Sequence, residues 1–376
     1  GAFPLGMLNE IVRARQNISA YLAITMKPYD VRMMYQMERS PHTLKYETIR
    51  NCIFACDIEP SAVDIAQLRL WLALVIDDEI NPDAQTPLDG HRNPLPLPNL
   101  ESNILCGDSL IDEFEGIPLV KESELLGSTW NYQRDITSDR FDSIIRKLIE
   151  TQDELFRCDD TEKKRQLKEQ FESLRDMIIL TQFEGCDSAK IQRYYDTKQM
   201  ASKPYILWQL DFARVFKEKG GFDIVIGNPP YVDSEEMTRS MPKKREAYTK
   251  KYSCAKGNWD LFVLFIEKGM DLLADNRVIS YIVPNKLISA PYTEALRKNM
   301  GTKQVLEIRD YSNVNVFKTA AVYPVVFRIN NCDQRTPVIM DVMEDMETIL
   351  NHNLIEPDKF YADINWDKYF NTNAGA

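Results

Sequence analysis

Apolar and polar positions follow two different patterns along the chain. Short apolar runs that stop at a glycine, a proline or an acid lie at 51–60, 103–110, 222–231 and 277–284. Runs of this length, bounded by residues that break regular structure, predict strands buried in a parallel sheet. Longer apolar segments at 62–76 and 260–273 predict helices between those strands. This order predicts an α/β fold with a doubly wound, mostly parallel sheet.

The run at 222–231 ends in a distinctive corner, Asn228-Pro229-Pro230-Tyr231, which directly follows Gly227. Each proline fixes its own φ and restricts the residue before it, so the chain leaves the strand in a stiff, extended conformation. The corner lies at the carboxyl end of its strand, where ligands bind in open α/β sheets. A plain strand-to-loop turn is the alternative, because Asn-Pro is a common turn opener.

The chemistry that suits this corner is methylation of an amino nitrogen. The lone pair of an exocyclic amine is delocalised into its ring, so an enzyme has to accept the hydrogens of the amine. The side-chain oxygen of Asn228 and the carbonyl of Pro229 are uncharged acceptors. Their transfer out of water therefore avoids the high free-energy cost of desolvating an ion. Tyr231 offers a flat face for a planar base. Asn228-Pro229-Pro230-Tyr231 resembles the catalytic motif of amino-methyltransferases that use S-adenosylmethionine.

Two further predicted strands end in acids, and the residues there are candidates for cofactor binding. An acid at the tip of the second strand of a nucleotide-binding sheet can accept both ribose hydroxyls, which favours Asp57 for that role and Ile58 for contact with adenine. Asp108 can accept a hydrogen bond from the adenine amino group of the cofactor. Leu110 is a further candidate for cofactor binding. Taken singly, each acid is also typical of a helix cap or a turn.

The chain resembles the gamma-class adenine-specific DNA methyltransferases of large, type IIG-like restriction-modification enzymes and related phage-defence enzymes. Their first motif runs from a strand through a glycine-rich loop to a phenylalanine and a helix, and residues 1–3 resemble its last three positions. A glycine-rich loop lets the backbone approach the methionine part of the cofactor at a helix N-terminus. The resemblance implies that Gly1 and Phe3 border the cofactor and that the chain is truncated at both ends, without its first strand. An ordinary N-terminal helix after a glycine is the alternative.

Alternating strands at 305–311 and 321–329 predict a hairpin that resembles the terminal hairpin of these methyltransferases. Phe317 stands where that family has an aromatic residue facing the catalytic tyrosine. Flipping a base out of a duplex costs a few kcal/mol of stacking, and an aromatic sandwich restores part of it. The alternative role for Phe317 is a hairpin core residue.

A segment of different composition interrupts this pattern at 111–215. Residues 140–183 are highly charged, with apolar positions spaced for one helical face and a break at 158–160, which predicts an αα-hairpin. We expect this hairpin to be a solvated addition to the fold, or to pack against another part of the full-length protein. A catalytic role is less favoured. Residues 203–216 resemble the approach to the catalytic strand in the large fused methyltransferases.

The most basic stretch of the chain follows the catalytic corner. Its candidates for contact with DNA phosphates are Lys243, Lys244, Arg245, Lys250 and Lys251. A solvated mobile loop is the alternative. The formal net charge of −11 does not suit a self-sufficient DNA-binding protein. The resemblance resolves this conflict, because in this family most of the grip on double-stranded DNA comes from a separate target-recognition domain.

Four segments are expected from these patterns. Residues 1–110 form the cofactor-binding half, 111–215 a mainly helical insert, 216–331 the catalytic half, and 332–376 a linker toward an absent target-recognition domain. A nuclease domain of the same full-length chain would also lie outside this sequence.

The expected activity is transfer of a methyl group from S-adenosylmethionine to adenine in DNA. The seven scattered cysteines and the lack of a targeting or membrane-spanning segment favour a cytoplasmic protein with reduced thiols, without membrane contact. Three histidines and scattered cysteines predict no metal site. The alternatives are an RNA or protein-glutamine methyltransferase, or an inert binding module whose incomplete glycine loop cannot hold the cofactor.

Overall fold

The computed structural model describes residues 1–25, 40–76, 100–120, 136–158, 160–317 and 323–370. The backbone divides into two compact units, Gly1–Arg214 and Val215–Ala376. The first unit contains the predicted cofactor-binding half together with the insert. The second contains the catalytic corner and everything that follows it.

The first unit is mainly helical, with short strands. Its helices are α1 (Ala2–Thr25), α2 (Pro41–Cys52), α3 (Pro60–Val75), α4 (Ile136–Arg157), α5 (Thr161–Thr181), α6 (Ser188–Thr197) and α7 (Trp208–Asp211). Its strands are β1 (Ala55–Asp57), β2 (Ile104–Cys106), β3 (Glu113–Phe114) and β4 (Ile117–Pro118). Helix α8 (Ala213–Lys219) spans the division between the units.

β1 and β2 form a parallel pair in which Asp57 lies opposite Cys106. β1 is shorter than the apolar run at 51–60 because the first residues of that run complete α2. The end of α2 is held by Asn103, which is 1% exposed and whose side-chain amide donates to the carbonyls of Ile49 and Ile53, each at 3.1 Å. The parallel pair expected for the cofactor-binding half is therefore present.

The insert contains the predicted αα-hairpin, formed by α4 and α5. The break between the helices lies where the sequence predicts it, because Asp160 caps α5 by accepting from the Lys163 amide at 2.6 Å. The hairpin encloses a hydrophobic core that includes Leu148, Ile178 and Tyr205. The insert therefore packs within the first unit and does not form a unit of its own.

The second unit is built around a six-stranded sheet. Its strands are β5 (Phe222–Gly227), β6 (Leu273–Pro284), β7 (Gln304–Asp310), β8 (Pro324–Asn330), β9 (Val338–Met343) and β10 (Ile349–Ile355). Its helices are α9 (Ser234–Ser240), α10 (Pro242–Lys251), α11 (Leu261–Asp271), α12 (Lys286–Ser289), α13 (Glu294–Met300) and α14 (Pro357–Phe360).

The strand order in this sheet is β10-β9-β7-β8-β6-β5. β5 runs parallel to β6 and β7 runs parallel to β9, whereas β8 is antiparallel to both β6 and β7, and β10 is antiparallel to β9. The predicted hairpin is confirmed as β7 and β8, although the expected strand start at Ala321 lies outside the described residues. The α/β class is confirmed, and this sheet is mixed where a mostly parallel one was expected, because hairpin connections place β8 and β10 antiparallel to their neighbours.

β5 differs from the expected strand buried on both faces. Within the described residues it pairs with β6 alone and forms one edge of the six-stranded sheet. Its side chains are only partly buried, and Ile224 is 52% exposed. The apolar run correctly predicts a strand, but it overestimates how far the β5 side chains are buried. At the edge of a sheet, fewer neighbouring side chains cover the two faces of a strand.

The region expected as a linker contains two strands. β9 and β10 extend the sheet beyond β7, so residues 338–355 are part of the fold of the second unit. Beyond them, Phe360 and Trp366 stack at 5.0 Å between ring centroids and are both buried. The linker prediction is therefore wrong for these residues, and residues 371–376 lie outside the described part of the chain.

The cysteines and the helices add two further findings. All seven cysteines are free thiols. Among the helices that the structure describes, none combines the length and apolar character needed to cross a bilayer.

Candidate active site

The predicted catalytic corner, Asn228-Pro229-Pro230-Tyr231, follows β5 without regular structure, and α9 begins shortly after it. Asp233 caps α9 by accepting from the Glu236 amide at 2.9 Å. Between these elements the prolines prevent the sheet ladder from continuing. The corner residues alternate in exposure: Asn228 and Pro230 are exposed, Pro229 is buried and Tyr231 is half-buried. Asn228 is therefore accessible at a corner whose backbone the two prolines restrict.

Gly227 brings the end of β5 onto the ring of Tyr281 in β6. A Cβ at position 227 would lie 3.1 Å from Cε1 of Tyr281. The same side chain lies close to Gly269 of α11, where a Cβ would lie 2.6 Å from the Tyr281 hydroxyl oxygen. The two glycines make room for one buried aromatic side chain, and that side chain supports the strand end from which Asn228 projects.

Tyr231 is held by its hydroxyl, which donates to the carbonyl oxygen of Ile282 at 3.3 Å. Burial raises the pKa of Tyr231 to about 12, so the phenol stays neutral at physiological pH. The next residue is also fixed, because the carbonyl of Val232 accepts from the Leu261 amide at 2.9 Å. The ring of Tyr231 is therefore a neutral surface in a fixed position.

Phe317 lies on the connection between β7 and β8, next to residues 318–322, which are outside the described part of the chain. The strand register places this connection at the same end of the strands as the predicted catalytic corner. Gly227 pairs with Tyr281, and Pro324 pairs with Pro284, three residues further along β6. β5 and β8 are both neighbours of β6, so they lie roughly 10 Å apart. Phe317 is half-buried, and its role opposite Tyr231 stays a prediction.

A buried acid that sequence reasoning missed precedes Leu261, the residue that bonds Val232. Asp260 is 7% exposed and accepts a hydrogen bond from the hydroxyl of Tyr292 at 2.6 Å, and the Lys286 ammonium lies 3.5 Å from the same oxygen. Burial and then Asp260 raise the pKa of Tyr292. Asp260 directly precedes Leu261, whose amide holds the corner. The sequence signal for Asp260 is only that of a residue before a helix.

The cofactor candidates lie at the adjacent ends of β1 and β2. Asp57 is exposed, its carboxylate accepts from the Glu59 amide at 3.0 Å, and its carbonyl accepts from the Gly107 amide at 2.9 Å. Ile58 is 55% exposed directly after it. Asp108 is buried beside this end, two residues beyond the partner of Asp57. The structure therefore brings these three predicted residues together at the carboxyl end of the parallel pair.

The remaining cofactor candidates have different environments. Leu110 is 1% exposed, and its amide donates to the Asp108 carboxylate at 3.1 Å, so Leu110 orients Asp108 and keeps its own side chain in the interior. Gly1 approaches α3 closely, since a Cβ there would lie 3.1 Å from Cα of Ala66. Phe3 is 43% exposed in the first turn of α1.

A short segment of the insert also reaches the cofactor candidates, and sequence reasoning missed it. Lys203 forms a parallel bridge with Gly107, and the hydroxyl of Ser202 donates to the carbonyl of Ile58 at 2.7 Å. More than ninety residues separate each pair along the chain, so no local pattern could have predicted these contacts.

The basic stretch forms helix α10, and the helix separates its cations into two groups. Successive residues are about 100° apart around a helix, so the four lysines of the predicted set share an arc of roughly 120° while Arg245 points away from it. The Arg245 side chain donates to the Ser234 hydroxyl at 2.9 Å and lies over the Trp259 ring at 5.5 Å. Lys250 pairs with Glu246 at 2.7 Å. Arg245 is therefore part of the packing of α10, whereas the lysines lie on another side of the helix.

The decisive comparison is with protein families. The model of the Eco57I restriction-modification methylase family matches residues 51–317, which include the tips of β1 and β2, the insert, the catalytic corner and Phe317. The chain belongs to this family. The restriction-modification resemblance drawn from Asn228-Pro229-Pro230-Tyr231 and its neighbours is thereby confirmed.

Curated members of the restriction-modification group are similar over different lengths of the chain. The putative type II restriction enzyme and methyltransferase RM.MjaORFECS2P of Methanocaldococcus jannaschii is 25% identical over 366 residues, which cover 86% of this chain and 28% of that protein. The type II restriction enzyme and methyltransferase RM.Eco57I of Escherichia coli is 31% identical over 110 residues, or 29% of this chain and 11% of that protein. The chain thus spans less than a third of the length of each of these relatives.

One similar solved structure is a nuclease-deletion mutant of the type ISP restriction-modification enzyme LlaGI in complex with a DNA substrate mimic. The alignment covers 96% of this chain and 24% of the LlaGI chain. The TM-score is 0.40 at 14% identity.

Proposed function

We propose that this chain is the methyltransferase part of a restriction-modification enzyme and transfers a methyl group from S-adenosylmethionine to the exocyclic amine of adenine in double-stranded DNA. The observation that carries the proposal is the catalytic corner, where an exposed Asn228 amide and a fixed, neutral Tyr231 ring project from one strand end. The family match supports the same reaction class.

The residues at the ends of β1 and β2 fit the adenosine half of S-adenosylmethionine. The exposed Asp57 carboxylate suits the ribose hydroxyls, the exposed Ile58 side chain suits one face of adenine, and Asp108 suits the adenine amino group. Gly1, Phe3 and Leu110 belong to the proposed set as well, with Leu110 acting through Asp108. When bound, the cofactor supplies an electrophilic methyl group.

The catalytic residues act by orientation. The side-chain oxygen of Asn228 and the carbonyl of Pro229 accept the hydrogens of the target amine, with Pro230 keeping the corner rigid. Tyr231 and Phe317 stack on the flipped base. Direct attack on a methyl group depends mostly on positioning, so the proposal needs no general base. The methyl–sulfur bond would break as the methyl–nitrogen bond forms, and the methylated amine would release one proton to water. The phenol of Tyr231 is neutral at physiological pH and burial raises its pKa further, so a base stacks on it without facing a phenolate charge.

The lysine arc of α10 is the proposed contact with DNA phosphates: Lys243, Lys244, Lys250 and Lys251. Such contacts add affinity and salt dependence but carry no sequence information. Target recognition, and any nuclease activity, are assigned to other parts of a full-length chain, as the greater length of the relatives suggests. The proposed site of action is the cytoplasm, where the DNA substrate lies.

The test is methylation in cells. The full-length gene that encodes this chain is expressed in a methylation-free bacterial host, and its DNA is examined by modification-sensitive sequencing. The Asn228→Ala variant is run in parallel, and Asn9→Ala, an exposed asparagine on α1, controls for the substitution itself. Methylated adenines at one recurring site, lost in Asn228→Ala and retained in Asn9→Ala, are the expected result.

Two outcomes would overturn parts of the proposal. Unmodified DNA from a folded, well-expressed protein would reject DNA as the substrate and favour RNA or a protein glutamine. Titration calorimetry with S-adenosylmethionine addresses the cofactor separately: Asn228→Ala should bind it as wild type does, because Asn228 is assigned to the target amine. Loss of cofactor binding in Asn228→Ala would overturn that assignment.

A further inference from the structure

The insert reaches the proposed cofactor pocket through residues 202–208, which we call the bridging segment. Lys203 donates its amide to the carbonyl of Cys106 at 3.1 Å, and its carbonyl accepts from the Asp108 amide at 3.0 Å. The bridging segment therefore pairs with the end of β2 on the side that β1 leaves open, and it holds the backbone of the acid assigned to adenine.

Gly107 allows this close approach. A Cβ at position 107 would lie 2.8 Å from Cδ1 of Ile206, 2.9 Å from the carbonyl oxygen of Lys203 and 3.0 Å from that of Tyr205. Two of these three neighbours are backbone atoms, which cannot rotate away. The glycine after β2 is thus explained by the bridging segment, and the approach is too close for a larger residue.

Ser202 and Trp208 bind the two strand tips from opposite ends of the bridging segment. The hydroxyl of Ser202 donates to the carbonyl of Ile58 at 2.7 Å, and the thiol of Cys106 approaches the same carbonyl at 3.7 Å. The indole N–H of Trp208 donates to the carbonyl of Ser109 at 3.0 Å. Ile58 lies beyond the last paired residue of β1, so these donors orient a residue that the strand ladder no longer holds.

The bridging segment is in turn fixed by a buried charge pair of the insert. Asp211 accepts from the Leu207 amide at 3.0 Å and from Nε of Arg175 at 2.8 Å, and the side chain of Arg175 is 1% exposed. Gln152 of α4 donates to the carbonyl of Asp211 at 2.6 Å. Residues of α4 and α5 therefore determine where the bridging segment lies.

We infer that the bridging segment forms one side of the S-adenosylmethionine pocket and that Ser202 is a positioning residue for the adenosine half, an inference that rests on the proposed function. Ser202 holds the carbonyl of Ile58 and thereby the exposed side chain assigned to adenine. The sequence predicts no direct role for the insert in the reaction. In this inference the insert supports the cofactor site.

The test measures affinity by titration calorimetry in three variants of the chain. Ser202→Ala removes the hydroxyl and should weaken binding of S-adenosylmethionine about three- to tenfold, the effect of losing one hydrogen bond. Binding of S-adenosylhomocysteine should weaken by the same factor, because both ligands share the adenosine. Ser202→Thr keeps the hydroxyl and should restore affinity, and Ser188→Ala, an exposed serine on α6, should match wild type.

Hydrogen exchange of the ligand-free chain gives a second measurement. In Ser202→Ala the amides of residues 57–59 should exchange faster than in wild type. Wild-type affinity in Ser202→Ala together with unchanged exchange would overturn the inference and leave the proposed function intact. Absence of binding in wild type would instead reject cofactor binding by this chain, and exchange would then decide whether Ser202 holds the end of β1.

Discussion

Glu267 connects the basic helix α10 to the core of the second unit, and its removal should destabilise that unit. Its carboxylate is buried in α11 and accepts three hydrogen bonds from the turn after α10: from the Ser253 amide at 2.9 Å, the Ser253 hydroxyl at 2.6 Å and the Cys254 amide at 2.9 Å. At about 1 kcal/mol for each bond, Glu267→Ala should cost about 3 kcal/mol. For a unit of this size the melting temperature should fall by roughly 6–12 °C.

Thermal unfolding followed by circular dichroism measures this change, and hydrogen exchange locates it. The amides of Ser253 and Cys254 should lose protection in Glu267→Ala. Glu267→Gln keeps one acceptor oxygen but presents an NH₂ group to one of the donors, so its loss should be smaller yet clear. Glu218→Ala, an exposed acid in the same unit, should change stability by less than about 0.5 kcal/mol. A Glu267→Ala variant as stable as Glu218→Ala would refute the assigned role.

Three further predictions concern the two units separately. Gly107→Ala should lower the free energy of unfolding of the first unit by about 1–3 kcal/mol through overpacking, as measured by urea unfolding. The control is Gly6→Ala, which should be neutral or stabilising because a Cβ there meets nothing within 4 Å. Neutralising Lys243 and Lys244 as glutamines in the full-length protein should reduce the slope of log affinity for DNA against log salt by about 1.8 if each contacts one phosphate; an unchanged slope would remove α10 from the DNA surface. Because burial raises the pKa of Tyr231 to about 12, its contribution to stability is complete below its unfolded pKa and is lost as pH rises through about 12; the stability difference between wild type and Tyr231→Phe should therefore shrink over that range.

The second unit could be predicted well from the sequence where the chain is apolar and sharply bounded. β5, α11 and the β7–β8 hairpin lie at the predicted places, because glycine, proline and acids mark their ends. β6 ends at Pro284 as predicted but begins at Leu273, four residues before the predicted start. β9 and β10 were missed although 338–343 is apolar. The polar residues of β10, such as His352, are typical of a linker, but one edge strand with an exposed face needs little apolar sequence.

The contacts that complete the candidate site could not be predicted for a different reason. Ser202 and Ile58 are far apart in sequence, and neither lies in a pattern that points to the other. The sequence places Arg245 among the lysines, because the composition of a basic stretch does not show which side of a helix each residue faces. Once α10 forms, the direction of each side chain follows from its position, and Arg245 turns to Ser234 and Trp259.

The acidic character of the chain and the proposed DNA contact are compatible because they act over different distances. A net charge of −11 produces a repulsive field at long range, but at physiological salt this field decays over about 8 Å. The lysine arc of α10 would approach phosphates more closely than that, so local charge governs the contact once DNA is bound. Four lysines supply few phosphate contacts, so DNA binding by the isolated chain should be weak even if every assigned residue is correct. The full-length protein is therefore the proper material for the salt-dependence measurement.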